Sequence, residues 1–362
     1  MRLHQICARL QYGDAVTSQV IRIHDEVSSW GWESYIYATA SDEHMASYNC
    51  GLETYRGDFE RSREDVLIYH FSVYDENYKL YMGSRNRSVL IYHNITPPDF
   101  LEPYDSHLAG VCRRGRELLP KLAGCDLALG DSEYNRRELV AAGFEEGKTG
   151  VLPIFVDMDA LGAEYNRGLL GELSDGRANL LFVGRMVPNK KVEDLVDLFA
   201  FYNRRVNAFS RLLLVGTTWS VAYNAELARR IGGYGLQGAV FLPGWSWGVS
   251  EEDLRAYYRA AHLFVTCSMH EGFCVPLLES MYFRLPILAR EEAAIPFTLG
   301  GAGMTFKRLD LPLLAEAVDE LVDNGDLRRA LVDKGERRLE DFAPEKTART
   351  LHSYLHNLPP QA

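Results

Sequence analysis

Two carboxylates, Glu271 and Glu279, lie eight residues apart in the run S-M-H-E-G-F-C-V-P-L-L-E at 268–279, separated by a glycine and a proline. The apolar residues 262–266 before them predict a buried parallel strand, and the P-L-L-E-S-M that begins at Pro276 predicts a helix with proline in its first turn. Glu271 then stands on a loop beyond the strand's carboxyl end, and Glu279 about one turn into the helix. The amides of Gly272, Phe273 and Cys274 point out of the helix N-terminus, where the dipole favours negative charge. Carboxylates accept hydrogen bonds from hydroxyl groups. The combination suits recognition of a polyhydroxylated anion, such as a sugar carried on phosphate.

A second set of charges lies upstream. The strand-like residues 180–183 run into G-R-M-V-P-N-K-K at 184–191, followed by an amphipathic helix. Arg185 and Lys190, five residues apart on a loop beyond a strand, are placed to stabilise a departing diphosphate without a metal. Whether Lys190 or Lys191 faces inward is left open. Near the N-terminus, Gly13 follows the first predicted strand and opens the first helix, a place where backbone can approach a ligand. This is not G-x-G-x-x-G, so the dinucleotide fingerprint is absent. His70 and His93 each end an apolar strand, where either ring could hydrogen-bond a hydroxyl or assist proton movement.

The elements that must hold these residues follow one grammar twice. Strand-like runs at 3–8, 34–38, 66–69, 89–92, 127–130 and 149–152 alternate with helices such as 16–29 and 108–123. A second series of strands at 180–183, 212–215, 240–242, 263–266 and 286–289 alternates with helices that begin near Lys191, Val221, Glu251 and Pro276. Short apolar strands alternating with helices imply parallel sheets covered on both faces, with ligands at the strands' carboxyl ends. The expected fold class is α/β, with two doubly wound Rossmann-like domains facing each other across a cleft. The boundaries are 1–160, 175–340 and a terminal helical segment, 341–362; residues 157–174 read as the connector.

The chain has 362 residues, 47% hydrophobic and 25% charged, as expected of a globular protein of two ordinary domains. Its net charge of -11 argues against nucleic acid as a partner. There is no signal-peptide pattern at the start and no apolar run long enough to span a membrane, so a cytoplasmic location is expected. The cysteines at 7, 50, 112, 125, 267 and 274 show no C-x-x-C spacing and are expected to be free thiols. Arg113, Arg114, Arg116 and Lys121 lie on a basic amphipathic stretch, 111–122, that suggests either a solvated helix face or a peripheral membrane contact.

Taken in order, these motifs resemble the retaining glycosyltransferases of the GT-B fold, most closely glycosyltransferase family 4 (group 1). That family carries E-G-F-x-x-P-x-x-E and V-G-R-x-x-x-x-K at this separation. The resemblance implies that Glu279 binds the donor ribose, that Glu271 with the amides of Gly272, Phe273 and Cys274 holds the donor sugar, and that Arg185 and Lys190 stabilise the diphosphate. It places Gly13 at a donor or acceptor loop and His93, with His70, on the acceptor side. It also makes Asp157-Met158-Asp159 a false lead: this D-x-D ends the family's I-P-N-G-V-D strand and is expected to be structural, so neither metal nor other cofactor is expected. Three departures border the donor pocket, namely Arg284 where glycine is usual, Phe297 where glutamate is common and Cys274 for a smaller residue, and Lys191 also stands where the family usually has glycine. The implied activity is metal-independent transfer of a hexosyl unit, from a nucleotide-diphosphate sugar of the GDP-mannose or UDP-hexose type, to a sugar, lipid-linked or small-molecule acceptor in polysaccharide or glycoconjugate assembly. The competing readings are a sugar-nucleotide 2-epimerase of the same fold and a catalytically silent sugar-nucleotide-binding protein.

Overall fold

The structure, a computed structural model, describes residues 1–358, with the side chains of 57 and 58 set aside. The chain divides into two compact units. The first comprises Met1–Asp99, Ser106–Phe155 and Phe342–Ala362; the second comprises Phe100–Asp105 and Val156–Asp341. The last four residues of the expected terminal segment lie outside the described residues.

The first unit is built on six parallel strands: β1 (Arg2–Leu10), β2 (Glu33–Ser41), β3 (Val66–Phe71), β4 (Arg87–Tyr92), β5 (Leu127–Gly130) and β6 (Thr149–Val151). Their order is β2-β1-β3-β4-β5-β6. All six residues of β3 are buried, which is why its sequence, V-L-I-Y-H-F, is apolar but for His70 rather than alternating. Helix Ala15–Ser29 begins at Asp14, whose side chain accepts from the Thr17 amide, and it buries Val20, Ile23 and Val27 against the sheet. The terminal helix Pro344–His356 packs within this unit: Leu351, Leu355 and Leu358 join Leu3, Ile68, Val89 and Leu129 in one apolar cluster.

The second unit repeats the plan with β7 (Ala178–Val183), β8 (Ser210–Val215), β9 (Val240–Phe241), β10 (Leu263–Thr266), β11 (Ile287–Arg290) and β12 (Met304–Phe306), ordered β12-β11-β10-β7-β8-β9. Its core is a belt of leucine, valine and phenylalanine from β7, β8, β10 and the helices Val192–Arg205 and Leu311–Asp323. In each unit the first strand has neighbours reached in opposite directions, β2 and β3 beside β1, and β8 and β10 beside β7. The crevice at such a reversal, outside the carboxyl strand ends, is the place where this class of sheet takes ligands.

Several features differ from the sequence expectations. The edge strand β12 was not foreseen, because three residues carry no measurable period. The supposed connector holds two short helices, Met158–Gly162 and Arg167–Leu173, and groups with the second unit. The Phe100–Asp105 segment, early in the chain, also groups there: Tyr104 donates to Glu226 and meets the Tyr223 ring edge-on. The basic stretch forms helix Ser106–Leu118 and a following 3-10 turn, with Ala109, Cys112, Gly115 and Leu118 turned into the core. Arg116 bonds the Ile95 carbonyl and Glu138, and Arg114 lies over the Tyr74 ring. The apolar stripe of this helix is therefore occupied within the unit, and no helix among the described residues is long and apolar enough to cross a membrane.

Candidate active site

The second unit gathers its charged motifs at the β7/β10 reversal. The loop after β7 carries Gly184 to Lys191, and the loop after β10 carries Ser268 to Cys274. Asn189 stitches the two together: its side chain donates to the His270 carbonyl at 3.0 Å, and its own carbonyl accepts from the Met269 amide at 2.9 Å. Close backbone approach is required here as well. A Cβ at Gly216, after β8, would lie 2.3 Å from the Gly184 carbonyl oxygen, so only glycine fits.

Across this stitched pair of loops Lys190 meets Glu271, with its ammonium 2.5 Å from both carboxylate oxygens. Ser268 donates a further hydrogen bond to Glu271 Oε1 at 2.7 Å. Lys191 turns the other way, to Glu193 at 3.2 Å, so Lys190 is the inward-facing lysine. Arg185 is exposed, and its guanidinium has no ion-pair partner among the described residues. Together they form a surface on which an anion can find two cations, while Glu271 sits beside them as a ready acceptor.

Helix Val275–Tyr282 begins at this point. Its N-cap residue is Cys274, held in the left-handed region at φ +70°, with no side-chain cap. The Gly272 and Cys274 amides donate to no group among the described residues, which leaves them at the positive end of the helix. Phe273 is tied down through its carbonyl, which accepts from Thr298. Glu279 lies one turn in. Its Oε2 accepts from the Tyr258 hydroxyl at 2.5 Å, and burial raises its pKa while that hydrogen bond opposes the rise. Oε1 has no donor among the described residues. Burial pushes the Cys274 thiol well above its ordinary range, so it is a packing group here rather than a nucleophile.

The glycine departures noted in the sequence fall on strained backbone. Lys191 has φ +51° and Arg284 φ +58°, both in the region glycine adopts freely. Asp157 accepts the Ala160 amide at 2.9 Å and caps helix Met158–Gly162. All six cysteines are free, and only Cys50 is exposed.

The first unit's candidates occupy its own reversal. Gly13, at φ +75°, follows β1. His70 lies within β3, and His93 and Asp131 are the residues just beyond β4 and β5. The histidine rings are not turned outward, as a hydroxyl ligand would require. His70 is fully enclosed, with Nε2 2.9 Å from Gln5 Oε1 and Nδ1 2.9 Å from His93 Nε2. The remaining nitrogen of His93 is 3.0 Å from Asp131 Oδ2. Both nitrogens of each ring thus have protein partners. Burial, reinforced by His93, holds His70 neutral with a pKa well below its ordinary value, and burial raises Asp131 against the pull of His93. Sequence reasoning gave no role to Gln5, Asp131, Tyr258, Asn189 or Ser268, although Asn189, within 184–191, and Ser268, three residues before Glu271, lay inside motifs already under scrutiny.

Comparison with known proteins bears on both units. Residues 171–338 match the family described as Glycosyl transferases group 1. O-antigen chain mannosyltransferase B of Escherichia coli is 25% identical over 176 residues, 48% of this chain and 45% of that protein. A GDP-mannose:cellobiosyl-diphosphopolyprenol alpha-mannosyltransferase of Xanthomonas oryzae pv. oryzae (strain PXO99A) is 30% identical over 158 residues, 43% of this chain and 40% of that protein. The chain therefore spans less than half the length of these relatives. Among solved structures, Anabaena HepE in complex with UDP and glucose superimposes with a TM-score of 0.78 at 14% identity, covering 99% of this chain and 100% of that one. The fold is the α/β GT-B fold, and the second unit carries the group 1 glycosyltransferase match.

Proposed function

We propose that this protein is a glycosyltransferase that moves a hexosyl unit from a nucleotide-diphosphate sugar to an acceptor hydroxyl, with retention of configuration and without a metal. The observation that carries this reading is the Lys190–Glu271 pair across the β7/β10 reversal, beside exposed Arg185 and the helix N-terminus at Cys274. A donor diphosphate takes up Lys190 and Arg185. Glu271 then turns its acceptor oxygens to the sugar hydroxyls, and Oε1 of Glu279 accepts from the ribose. The acceptor side of the reaction we assign to the first unit's strand ends, at Gly13 and the turn beyond β4 that His93 begins; the sealed rings of His70 and His93 support that edge and do not themselves bind the acceptor hydroxyl.

The second unit offers two carboxylates for binding, and the carboxylate nearest the first unit's histidines, Asp131, is sealed against His93. A covalent glycosyl-enzyme is therefore poorly served. We favour attack on the face that the leaving group departs from: the bond from the anomeric carbon to diphosphate oxygen breaks, the acceptor oxygen bonds to that carbon, and its proton passes to the departing diphosphate. Arg185 and Lys190 stabilise the charge that develops on it.

The names of the relatives support a GDP-mannose donor, and the UDP and glucose held by Anabaena HepE support a UDP-hexose. A thermal-shift screen of nucleoside diphosphates and their sugars, followed by incubation with the labelled sugar that binds, decides between them, because binding raises stability with log affinity. Slow release of free sugar without acceptor is expected. Loss of turnover in excess chelator, restored by magnesium, would overturn the metal-independent reading.

A further inference from the structure

Four buried side chains of the first unit form one hydrogen-bonded chain whose direction can be worked out. The amide nitrogen of Gln5 donates to the Val20 carbonyl at 3.0 Å, so its Oε1 is the atom that faces His70. Oε1 can only accept, hence His70 carries its hydrogen on Nε2. A neutral His70 then presents a lone pair at Nδ1, and this fixes a hydrogen on Nε2 of His93. The last link, His93 Nδ1 to Asp131 Oδ2, needs one proton, held by either partner. The strand register sets up this geometry: Cys7 of β1 pairs with His70 of β3, and Tyr92 of β4 pairs with Gly130 of β5, so His93 and Asp131 leave the sheet side by side.

We propose that Gln5, His70 and Asp131 are positioning residues that lock His93, with Nε2–H turned inward and one proton shared between Nδ1 and Asp131. His93 then acts by fixing the strand exit and the left-handed turn at Asn94 (φ +70°), and never as a base. This rests on the reading that the acceptor is handled at this sheet edge. The charged surroundings leave the chain isolated. Cys7 is a thiol pushed up to about 12 by burial and stays neutral, while on the helix after Asp131, Glu138 pairs with Arg116 and Glu133 with Arg136.

Rising pH removes the shared proton and leaves a carboxylate facing a bare lone pair, which breaks the lock. An amide at position 131 can donate to Nδ1 without that proton. Asp131→Ala should therefore lower turnover at least tenfold at unchanged donor KM. Asp131→Asn should stay within about threefold of the parent and lose the alkaline fall of the pH profile. An Asn variant as poor as the Ala variant, or one whose alkaline fall is intact, overturns the proposal. Nitrogen-15 NMR of the histidine rings in the full chain needs no substrate: a bare Nε2 on His70 or His93 also overturns it, even if no donor proves active and the reading of function fails on its own account.

Discussion

The two units carry the same sheet reversal and put opposite chemistry on it. At β7/β10 the side chains are charged, with Arg185 exposed and Lys190 paired with Glu271. At β1/β3 the polar groups Gln5, His70, His93 and Asp131 are buried and satisfied almost entirely by one another. Topology supplies a place for a ligand; whether the groups there can still bind one depends on how many of their donors and acceptors are already used. On that criterion the second unit keeps available an exposed cation and helix amides unpaired among the described residues, whereas the first unit's polar chain is closed on itself.

The sharpest way to break this comparison is to remove the charge from one side. Lys190→Ala should lower turnover by roughly two to three orders of magnitude, the scale of a lost transition-state donor. It also leaves Glu271 buried without its cation, which costs on the order of 3 kcal/mol of stability, so Lys190→Met with Glu271→Gln is the control that separates the two effects in a thermal melt. A Lys190→Ala enzyme within tenfold of the parent would dissolve the distinction between the units.

Acid should separate them next. In the first unit, burial lowers His70 well below its ordinary value and lowers His4 to about 4. The unfolded chain binds protons at these sites near pH 6.5 while the folded chain refuses them, so stability rises with pH and is lost as pH falls from about 6.5 toward 4. His4 alone contributes a loss on the order of 3 kcal/mol over that window. In the second unit His262 is lowered by burial and by nearby Arg328. Hydrogen exchange at pH 5 should show β1 and β3 opening before β7 and β10; simultaneous opening would count against the difference.

Within the second unit, Glu279→Ala should weaken donor binding by about 10- to 30-fold, since Tyr258 already uses one carboxylate oxygen and a single oxygen remains for ribose. Glu271→Ala should damage turnover more than affinity for the free nucleoside diphosphate. Equal loss of nucleotide binding in both variants would show that the two glutamates do not divide their work in this way.

How much of this was legible in the sequence follows from the physics of each signal. The strands with long apolar runs were readable because burial on both faces writes a continuous hydrophobic segment, as in β3 and β8. The three residues of β12 write nothing, and the helices within 157–174 are too short and polar to show a period. The charged site was readable because its members sit in two local motifs. The histidines were readable as strand ends but not as sealed, because their partners Gln5 and Asp131 lie 65 and 38 residues away in sequence and become neighbours only through strand register. Tyr258, 21 residues before Glu279, was invisible for the same reason.

The smallest expected effect tests whether the departures from glycine are strain carried for function or tolerated drift. Arg284, at φ +58°, follows helix Val275–Tyr282 and pairs with exposed Glu336. A left-handed non-glycine residue costs roughly 1–2 kcal/mol, whereas an exposed pair contributes well under 1 kcal/mol and glycine adds unfolded-state entropy of about 0.5–1 kcal/mol. Arg284→Gly should therefore be neutral or stabilising by less than about 1 kcal/mol, with donor binding unchanged, because the side chain is exposed and engaged with Glu336. Lys191→Gly removes the same kind of strain but also the pair with Glu193, at the start of the helix that follows the phosphate loop. Denaturant melts of the two variants should rank Arg284→Gly above Lys191→Gly in stability. The reverse ranking would mean that the Lys191–Glu193 pair contributes nothing and that the left-handed turn before the helix is the more strained of the two.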